Sequence, residues 1–314
     1  MVSMKSFTRD DGRVLQVVEG YREHVLGERP TYSTRTHWGA DQYAAAAKRK
    51  LKRSQQFLKE FAHWGGRIEG ARVIEVACGD GINSLLMALQ PVESVTGIDL
   101  ELPLVEQVER TERVRKLAAQ ICAMADLEGD LDTVLDRLPL RFINMNATAM
   151  DFEDASFDFL MSRSAIEHIF PVEKALAEMA RVVRPGGLLH LSTDPYFSHR
   201  GCHKTAVVDI PWAHARLSID EYRRFVAESE GEAEAKKRSR RLETLNPYTI
   251  RQWQDKIETN GFEVLESEAV PSQLAQSLLE TYSDVPETVL PGVEHRDLVN
   301  SRLRFWLRRK ALER

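Results

Sequence analysis

The sequence predicts a doubly wound α/β fold, in which helices cover both faces of a mostly parallel sheet. Two observations support this prediction. Short apolar runs that suit buried strands alternate along the chain with longer segments of helical periodicity. One stretch near residue 75 has the order strand, glycine turn, helix, strand, acid. The chain has 314 residues, of which 43% are hydrophobic, and this is enough for a substantial core.

The stretch from 71 to 101 contains that unit. Residues 73–77 read as a buried parallel strand, which ends in Cys78-Gly79-Asp80-Gly81. Two glycines around one residue permit a tight turn and let a ligand approach the backbone. Asn83 is expected to cap the helix that follows. A second strand then ends in Asp99.

This order of elements suits a nucleoside-containing cofactor. Free backbone N–H groups at the start of a helix favour an anionic group on a ligand. A carboxylate at the tip of the next strand, here Asp99, can accept two hydrogen bonds from a ribose diol. A dinucleotide fingerprint requires a third glycine, and Ser84 stands at that position. The pattern therefore disfavours a bound pyrophosphate.

Two motifs resemble those of the class I S-adenosylmethionine-dependent methyltransferases, in particular the type 11-like group. VIEVACGDG at 73–81 resembles the first motif of that family, and VTGIDLE at 95–101 resembles the second. SFDFLMSRSAIEHI at 156–169 and RVVRPGGLLHLSTD at 181–194 resemble the segments around its fourth and fifth strands. The resemblance implies a Rossmann-like sheet of seven strands, with an antiparallel last strand at the edge. Ala77 departs from the family, in which glycine is commoner at that position.

The other elements follow from periodicity and turn residues. A helix is predicted over 40–63, because Leu51, Leu58 and Phe61 fall on one face. Further strands are predicted at 141–145, 157–162, 188–194, 262–269 and 303–309. We divide the chain into an N-terminal helical segment or lid (1–64), a methyltransferase core (65–195 and 247–314) and an inserted helical substrate cap after strand five (196–246).

The resemblance also implies the cofactor residues and their roles. Glu75, Gly79 and Gly81 would hold the methionine portion of S-adenosylmethionine, with the backbone of Ala77 and Asp80 contributing. Asp99 would bind the ribose and Leu100 would cover the adenine. The remaining expected contacts are Asn146, whose amide oxygen would accept from the adenine amine, Ala147 at the adenine edge, and Ser162 near the sulfonium.

Histidines cluster where a general base would be useful for a hydroxyl acceptor. The candidates are His203 and His214, in the expected cap, and His168, after strand four. Tyr196 and Trp212 could supply aromatic walls, and His37 or Trp38 could line the pocket from the N-terminal side. No metal is expected: the family variant E-x-x-E-H lacks its first acid at Ser164, and Gly201 interrupts the spacing of His199 and His203.

Composition limits the class of protein. Three widely spaced cysteines suit a reducing compartment, and the polar N-terminus lacks the apolar run of a signal peptide, so a cytoplasmic location is expected. We expect no membrane span, since no run of about eighteen apolar residues occurs. The net charge of −5 makes a nucleic-acid partner unlikely. A homo-oligomer is left open.

Three functions are compatible with these observations. The leading hypothesis is an enzyme that methylates a hydroxyl of a small molecule or glycan and yields S-adenosyl-L-homocysteine. A second is an RNA or protein methyltransferase, in which the basic runs at 48–53 and 236–241 hold phosphates. A third is a non-catalytic regulatory protein that binds S-adenosylmethionine.

Overall fold

The computed structural model describes residues 5–27, 38–106, 111–201 and 203–311. The strands are β1 Ser6–Thr8, β2 Val14–Gln16, β3 Arg72–Val76, β4 Ser94–Asp99, β5 Leu140–Asn144, β6 Phe157–Arg163, β7 Val183–Thr193, β8 Phe262–Pro271 and β9 Asn300–Arg309. The helices of the first half are α1 Tyr21–Leu26, α2 Ala40–His63, α3 Ile82–Ala88, α4 Glu112–Met124, α5 Leu131–Arg137 and α6 Val172–Val182. Those of the second half are α7 His203–Ala206, α8 Ala213–Arg216, α9 Ile219–Glu230, α10 Glu232–Glu243, α11 Ile250–Thr259, α12 Gln273–Thr281, α13 Val285–Thr288 and α14 His295–Val299.

Seven of the strands form one sheet in the order β5-β4-β3-β6-β7-β9-β8. Strands β3 to β7 pair in parallel, and β9 runs antiparallel to both β7 and β8. The predicted doubly wound, mostly parallel sheet of seven strands is therefore confirmed. The strand order reverses between β3 and β6, and a crevice at the carboxyl ends of the strands is the expected ligand site of such a sheet.

The prediction that the last strand forms the edge was wrong. Strand β9 lies inside the sheet, between β7 and β8. Leu303, Phe305 and Leu307 are fully buried on one face of β9, and Trp306 is buried on the other. The face with Leu303, Phe305 and Leu307 packs into the core, whereas Arg302, Arg304 and Arg308 share the other face with Trp306. Strand β8 takes the edge and carries exposed glutamates there, a usual protection against edge pairing.

Helices cover both faces of the sheet. On one face, α6 and α11 pack against β3, β6 and β9 through Leu176, Met179 and Trp253. On the other, Phe57 and Phe61 of α2 pack on Phe159 and Trp306. Burial of these apolar faces is the main contribution that holds the layers together.

A separate apolar cluster, which we call the cap cluster, lies outside the sheet. It contains the buried apolar residues of 196–245, together with Phe7, Leu15, Tyr21 and Val25 from the N-terminal hairpin and α1. Leu278 of α12 and Leu298 of α14 belong to it as well. Segments from both ends of the chain thus complete the core of the cap. Across the described ranges, none of the helices has both the length and the apolar composition that a membrane crossing requires.

Candidate functional site

A cleft of about 620 Å³ opens where β3, β4 and β6 end. This volume is within the usual range for a small-molecule site, roughly 300 to 1,000 Å³. The lining residues are Lys50, Glu75, Ala77, Cys78, Gly79, Asp80, Asn83, Asp99, Leu100, Met145, Asn146, Ala147, Arg163, Ser164, Ala165, His168, Ile169 and Phe170. We call residues 75–80, 99–100 and 145–147 the cofactor wall.

Most of the expected cofactor residues border this cleft. The structure brings together eight of them: Glu75, Ala77, Gly79, Asp80, Asp99, Leu100, Asn146 and Ala147. Gly81 and Ser162 are not among the lining residues. Because the carboxyl ends of adjacent parallel strands meet at one edge of a sheet, residues far apart in sequence converge here.

Left-handed backbone shapes the turn after β3. Gly79 has φ 56° and Gly81 has φ 72°, values that glycine adopts without strain. A Cβ on Gly81 would lie 2.9 Å from the ring of Phe142, so the role of Gly81 is to let the turn pack on β5. Ala77 also has a positive φ, of 54°, which explains why glycine would suit that position. The turn therefore exposes its backbone to the cleft at Gly79, where a Cβ would meet no atom within 4 Å.

The N-terminus of α3 is not capped by Asn83, as the sequence had led us to expect. Gly81 is the N-cap residue of α3 and offers no side-chain cap, while Oδ1 of the preceding Asp80 accepts a hydrogen bond from the backbone N–H of Ile82 at 3.0 Å. Asn83 lies inside α3 and donates from Nδ2 to Glu75 Oε1 at 3.1 Å. The sequence-based assignment of the cap to Asn83 was wrong, because its side chain turns back towards β3.

Glu75 is a buried carboxyl group at the base of the cleft, with only 1% of its surface exposed. Ser84 Oγ donates to Oε2, and Asn83 donates to Oε1. Burial raises the pKa of Glu75 to about 7, while these hydrogen bonds and the charge of Arg163 oppose the shift. A cationic group bound beside Glu75 would favour its ionised form.

Asp99 is fixed by backbone donors. Its Oδ2 accepts from the N–H of Gly79 at 2.8 Å, and its Oδ1 accepts from the N–H of Leu100 at 2.7 Å and of Glu101 at 3.2 Å. The carboxylate is thus oriented before any ligand binds. Next to it, Leu100 is 65% exposed and lines the cleft, so its side chain is available to a ligand.

Asn146 does not offer its oxygen in the expected way. Its Oδ1 accepts from both the N–H and the hydroxyl of Thr148, each at 2.9 Å. A carbonyl-type oxygen has two lone pairs, and both are used here. Asn146 borders the cleft, but the hydrogen bond from an adenine amine to this oxygen is not supported by the geometry.

Ser162 lies away from the cleft. It is fully buried in β6, whereas its neighbour Arg163 lines the cleft. Successive side chains of a strand point to opposite faces, so only one of these two residues can face the ligand. The expectation that Ser162 faces the ligand is therefore corrected, since Arg163 and Ser164 line the cleft instead.

The cofactor wall fits the group that the resemblance implies. The buried carboxyl group of Glu75 suits an ammonium, the oriented carboxylate of Asp99 suits a diol, and the exposed Leu100 suits a flat apolar ring. The residues present can therefore hold S-adenosylmethionine.

The candidate bases divide into two groups. His168 lines the cleft, and its ring stacks on that of His203 with centroids 5.0 Å apart and planes at 22°. His168 Nδ1 lies 3.3 Å from the carbonyl oxygen of Thr244. Burial lowers the pKa of His168 and lowers that of His203 to about 4, with the charge of Arg241 adding to both shifts. Both rings are therefore neutral at pH 7.

His214 is not part of this group. It is buried beside the cap cluster, where its Nε2 lies 2.9 Å from the carbonyl oxygen of Ser198 and its ring packs edge-on against Tyr196. Trp212 is also buried in the cap cluster. The assignments of His214 as a base, and of Tyr196 and Trp212 as pocket walls, are corrected, because the cap uses these side chains for its own packing.

Some lining residues were not predicted. Arg163 ends β6, with its guanidinium 5.5 Å from the ring centre of Phe57 and Nη1 donating to Asn83 Oδ1 at 3.4 Å. A charged residue at the carboxyl end of a buried strand is the signal that could have identified it. Lys50 belongs to a basic run that reads as a solvated helix face, and no local signal distinguishes it from its neighbours. Phe170, which is 49% exposed, also lines the cleft.

The expected N-terminal contribution is limited to one residue. His37 lies outside the described residues. Trp38 packs against Tyr43 with ring centres 5.3 Å apart and borders a cluster with α3 and α4. It is not among the lining residues of the cleft.

Comparisons with known proteins agree with this geometry. Residues 74–191 match the family model described as a methyltransferase domain. O-methyltransferase rstn1 of Aspergillus nomiae is 24% identical over 155 residues, which are 49% of this chain and 60% of that protein. The phthiotriol/phenolphthiotriol dimycocerosates methyltransferase of Mycobacterium leprae is 30% identical over 164 residues, 51% of this chain and 50% of that protein.

A third relative is the ubiquinone biosynthesis O-methyltransferase of Alkalilimnicola ehrlichii. It is 27% identical over 128 residues, 41% of this chain and 43% of that protein. The matches thus span from 43% to 60% of the length of these three relatives. The family match ends at residue 191, before the residues of the cap cluster at 196–245.

Proposed function

We propose that this chain, whose residues 74–191 are a class I S-adenosylmethionine-dependent methyltransferase domain, transfers a methyl group to a hydroxyl of a small molecule or glycan. The observation that supports this most is that the cofactor wall and His168 border one cleft. A ligand held on the wall and an acceptor beside His168 would share that space, and such proximity is the main requirement for a group transfer.

The cofactor wall has one role for each part of the ligand. When bound, S-adenosylmethionine supplies a methyl group on a cationic sulfur. Glu75 receives the ammonium of its methionine portion, with which a carboxylate pairs favourably in a buried site. Asp99, oriented by the N–H of Gly79, accepts from the ribose hydroxyls. Leu100 covers the adenine, and Asn146 and Ala147 border its edge.

The acceptor side contains the neutral imidazoles. His168 faces the cleft, and the ring of His203 supports it by stacking. A neutral imidazole beside the acceptor hydroxyl can bind it and assist the loss of its proton. Among the described residues that line the cleft, His168 is the one histidine, which is why we assign this assistance to His168 and not to His214.

The names of two relatives support transfer to oxygen. The Aspergillus and Alkalilimnicola proteins are both named O-methyltransferases. The acceptor molecules of those two proteins are not assigned to this chain. For this chain, the neutral histidine supports the same choice, since a hydroxyl needs help with its proton more than an amine or a carbon nucleophile does.

The RNA hypothesis is weakened by the contacts of the second basic run. In α10, Arg238 Nη2 lies 2.6 Å from Glu230 Oε2, and Lys237 Nζ lies 3.0 Å from Glu234 Oε1. Arg238 is also buried, and it donates to the carbonyl oxygen of Thr205 at 2.6 Å. Cations that are already paired within the chain are poor phosphate ligands.

The test has two stages. S-adenosyl-L-homocysteine binding is first measured by calorimetry with the full chain. Product release is then measured with catechol, a long-chain diol, dopamine and a short RNA, and mass spectrometry locates the methyl group. We expect cofactor binding and methylation of oxygen in catechol or the diol. Absence of binding would contradict the assignment, methylation confined to RNA would favour the second hypothesis, and methylation of the dopamine nitrogen alone would overturn the choice of oxygen.

Two further predictions stay open. A cytoplasmic location rests on the cysteines, of which Cys78 and Cys122 are free and buried. A homo-oligomer also stays a prediction.

The non-catalytic hypothesis would be favoured by cofactor binding without turnover of any acceptor in the panel.

A further inference from the structure

Three side chains with metal-binding atoms meet beside the cleft. Glu167 and His168 lie in a single helical turn after β6, and His203 begins α7. One potential ligand atom from each lies within 4.8 Å of the other two. Donor atoms at metal bond lengths of about 2.0 to 2.2 Å lie up to roughly 4 Å apart. Small side-chain movements would therefore bring all three onto one ion. We call this set the histidine corner.

Each of the two histidines has one nitrogen available as a ligand, and because their rings stack with planes at 22°, one ring must rotate for both lone pairs to point at the same ion. A carbonyl oxygen only accepts hydrogen bonds, so the contact of His168 Nδ1 with Thr244 at 3.3 Å places the ring proton on Nδ1. Nε2 of His168 then keeps its lone pair, as is usual for a metal-binding histidine. Nε2 of His203 is buried and has no hydrogen-bond partner among the described residues. A buried polar atom of this kind is costly, and a bound ion would satisfy it.

Hydrogen bonds to neighbouring residues fix the carboxylate of Glu167. Glu167 is 2% exposed, and its Oε2 accepts from the hydroxyl of Thr193 at 3.0 Å. Asn246 fixes the helical turn that contains Glu167. Its backbone N–H donates to the backbone carbonyl of Glu167 at 2.8 Å, and its Nδ2 donates to the backbone carbonyl of Ile166 at 3.1 Å. Outer partners that orient each ligand are typical of metal centres.

We infer that Glu167, His168 and His203 bind one divalent transition-metal ion, such as Zn²⁺ or Mn²⁺, with open coordination positions on the side of the cleft. Two imidazoles and one carboxylate suit these ions better than Mg²⁺ or Ca²⁺, which prefer oxygen ligands. Three protein ligands with open positions are the arrangement of a catalytic site. The expectation of no metal was based on the missing first acid at Ser164 and on Gly201 between His199 and His203, whereas the structure brings His203 beside Glu167 and His168 instead of His199.

The ion would act on the acceptor, and this part rests on the proposed function. With Nε2 of His168 bound to the ion, the ion takes over the help with the acceptor proton that the proposed function assigns to the free imidazole. A divalent ion lowers the pKa of a hydroxyl or water placed beside it. The acceptor's O–H proton leaves to solvent, and the oxygen lone pair forms the new bond to the methyl carbon. The carbon–sulfur bond breaks, and its electrons stay on sulfur. The acceptor class is therefore one that presents a hydroxyl, alone or beside a second oxygen that can also reach the ion.

The experiment measures ion binding directly, without an acceptor. The full chain is treated with a chelator, dialysed, and titrated with Zn²⁺ and with Mn²⁺ by calorimetry. Co²⁺ absorption then reports the coordination geometry. The variants are E167Q and H203Q, with H63Q as the control, because His63 is exposed at the end of α2. Binding of S-adenosyl-L-homocysteine shows that each variant is folded.

We expect one ion per chain for the wild type and H63Q. In E167Q and H203Q we expect ion affinity to fall by more than about 100-fold, beyond the 10- to 100-fold effect of losing an outer partner. The Co²⁺ spectrum should be lost in the same two variants while they still bind S-adenosyl-L-homocysteine. Absence of ion binding by the wild type, or equal affinity in H203Q and H63Q, would overturn the inference.

The variant T193V separates the orientation of Glu167 from the coordination of the ion by Glu167. T193V removes the hydroxyl that holds Glu167 and leaves all three ligands in place. We expect ion affinity to fall by about 10- to 100-fold with an intact Co²⁺ spectrum. An unchanged affinity would contradict the role of Thr193 in orienting Glu167.

The failure of this inference can be told apart from that of the proposed function. Full methylation by the chelator-treated enzyme would refute the role of the ion in the reaction while the methyltransferase assignment stands. Ion binding that depends on Glu167 and His203, in a chain that binds no S-adenosyl-L-homocysteine, would support the metal site and refute the proposed function.

Discussion

The two sides of the cleft are built in different ways. The cofactor wall comes largely from one continuous segment, in which Gly79 donates to Asp99 only twenty residues further along. The histidine corner joins residues from distant segments: His203 stacks on His168, and His168 contacts Thr244. One side depends on a local turn and the other on the docking of the cap. A change to the cap should therefore affect the acceptor side and leave cofactor binding nearly unchanged.

The largest expected effect concerns the two histidines that sequence could not distinguish. H168Q should lower kcat by roughly 10²- to 10⁴-fold, because it removes the imidazole that faces the acceptor. Affinity for S-adenosyl-L-homocysteine should stay the same. The measurement is turnover with the hydroxyl acceptor found in the panel, together with calorimetry.

The matched comparison is H214Q, which removes an imidazole from the cap interior. We expect lower stability with kcat kept within a few fold of the wild type, a pattern opposite to that of H168Q. A larger loss of kcat in H214Q than in H168Q would show that the acceptor side lies elsewhere.

The next effect tests the cofactor wall. D99A removes the charged acceptor of the ribose hydrogen bonds, so we expect cofactor affinity to fall by about 1.5–3 kcal/mol. This corresponds to a roughly 10- to 150-fold higher Kd, measured by calorimetry. Ion binding at the histidine corner should be retained. Unchanged cofactor affinity would remove Asp99 from the ribose site.

A smaller effect arises from the titration of Glu75. Burial raises its pKa to about 7 in the free protein, and an ammonium beside it would lower that pKa on binding. Below pH 7 the carboxyl group of Glu75 is mostly protonated in the free protein, and it must lose this proton when the ligand's ammonium binds. The affinity for the ligand therefore falls as the pH falls. Between pH 7.5 and 6.0 we expect a roughly eightfold loss of S-adenosyl-L-homocysteine affinity.

The variant E75Q should bind more weakly and lose most of this pH dependence. The control is E93Q, on an exposed glutamate before β4, which should retain it. If E75Q shows the same pH profile as the wild type, Glu75 does not contact the ammonium.

The smallest effect tests the turn. A left-handed conformation costs an L-residue roughly 1–2 kcal/mol, and glycine costs about 0.4–1 kcal/mol in the unfolded chain. A77G should therefore raise the free energy of unfolding by about 0.5–1 kcal/mol, measured by urea denaturation. The matched control A45G, in the middle of α2, should lower it by a similar amount. A decrease in both variants would show that Ala77 is not strained.

Errors at individual residues have physical causes that a single sequence does not display. Ser162 was assigned to the cleft because it ends a strand, but which of two adjacent side chains faces the ligand depends on the register of β6 in the sheet. His214 was a candidate because it follows strand five, but the folding of the cap turns it inwards. The antiparallel strand predicted at 303–309 was expected at the edge, but its place between β7 and β8 depends on strand pairing that its own residues do not display.

The sequence by itself determined the parallel sheet, the glycine turn and the acid at the tip of β4. These depend on hydrophobic periodicity and on contacts between residues close in the chain, which a linear pattern records. Only the tertiary structure decided that Lys50, Arg163 and His168 line one cleft with the histidine corner beside it, and that segments near both ends of the chain complete the cap cluster. Such contacts form between distant segments when helices and strands pack, and no local pattern encodes them.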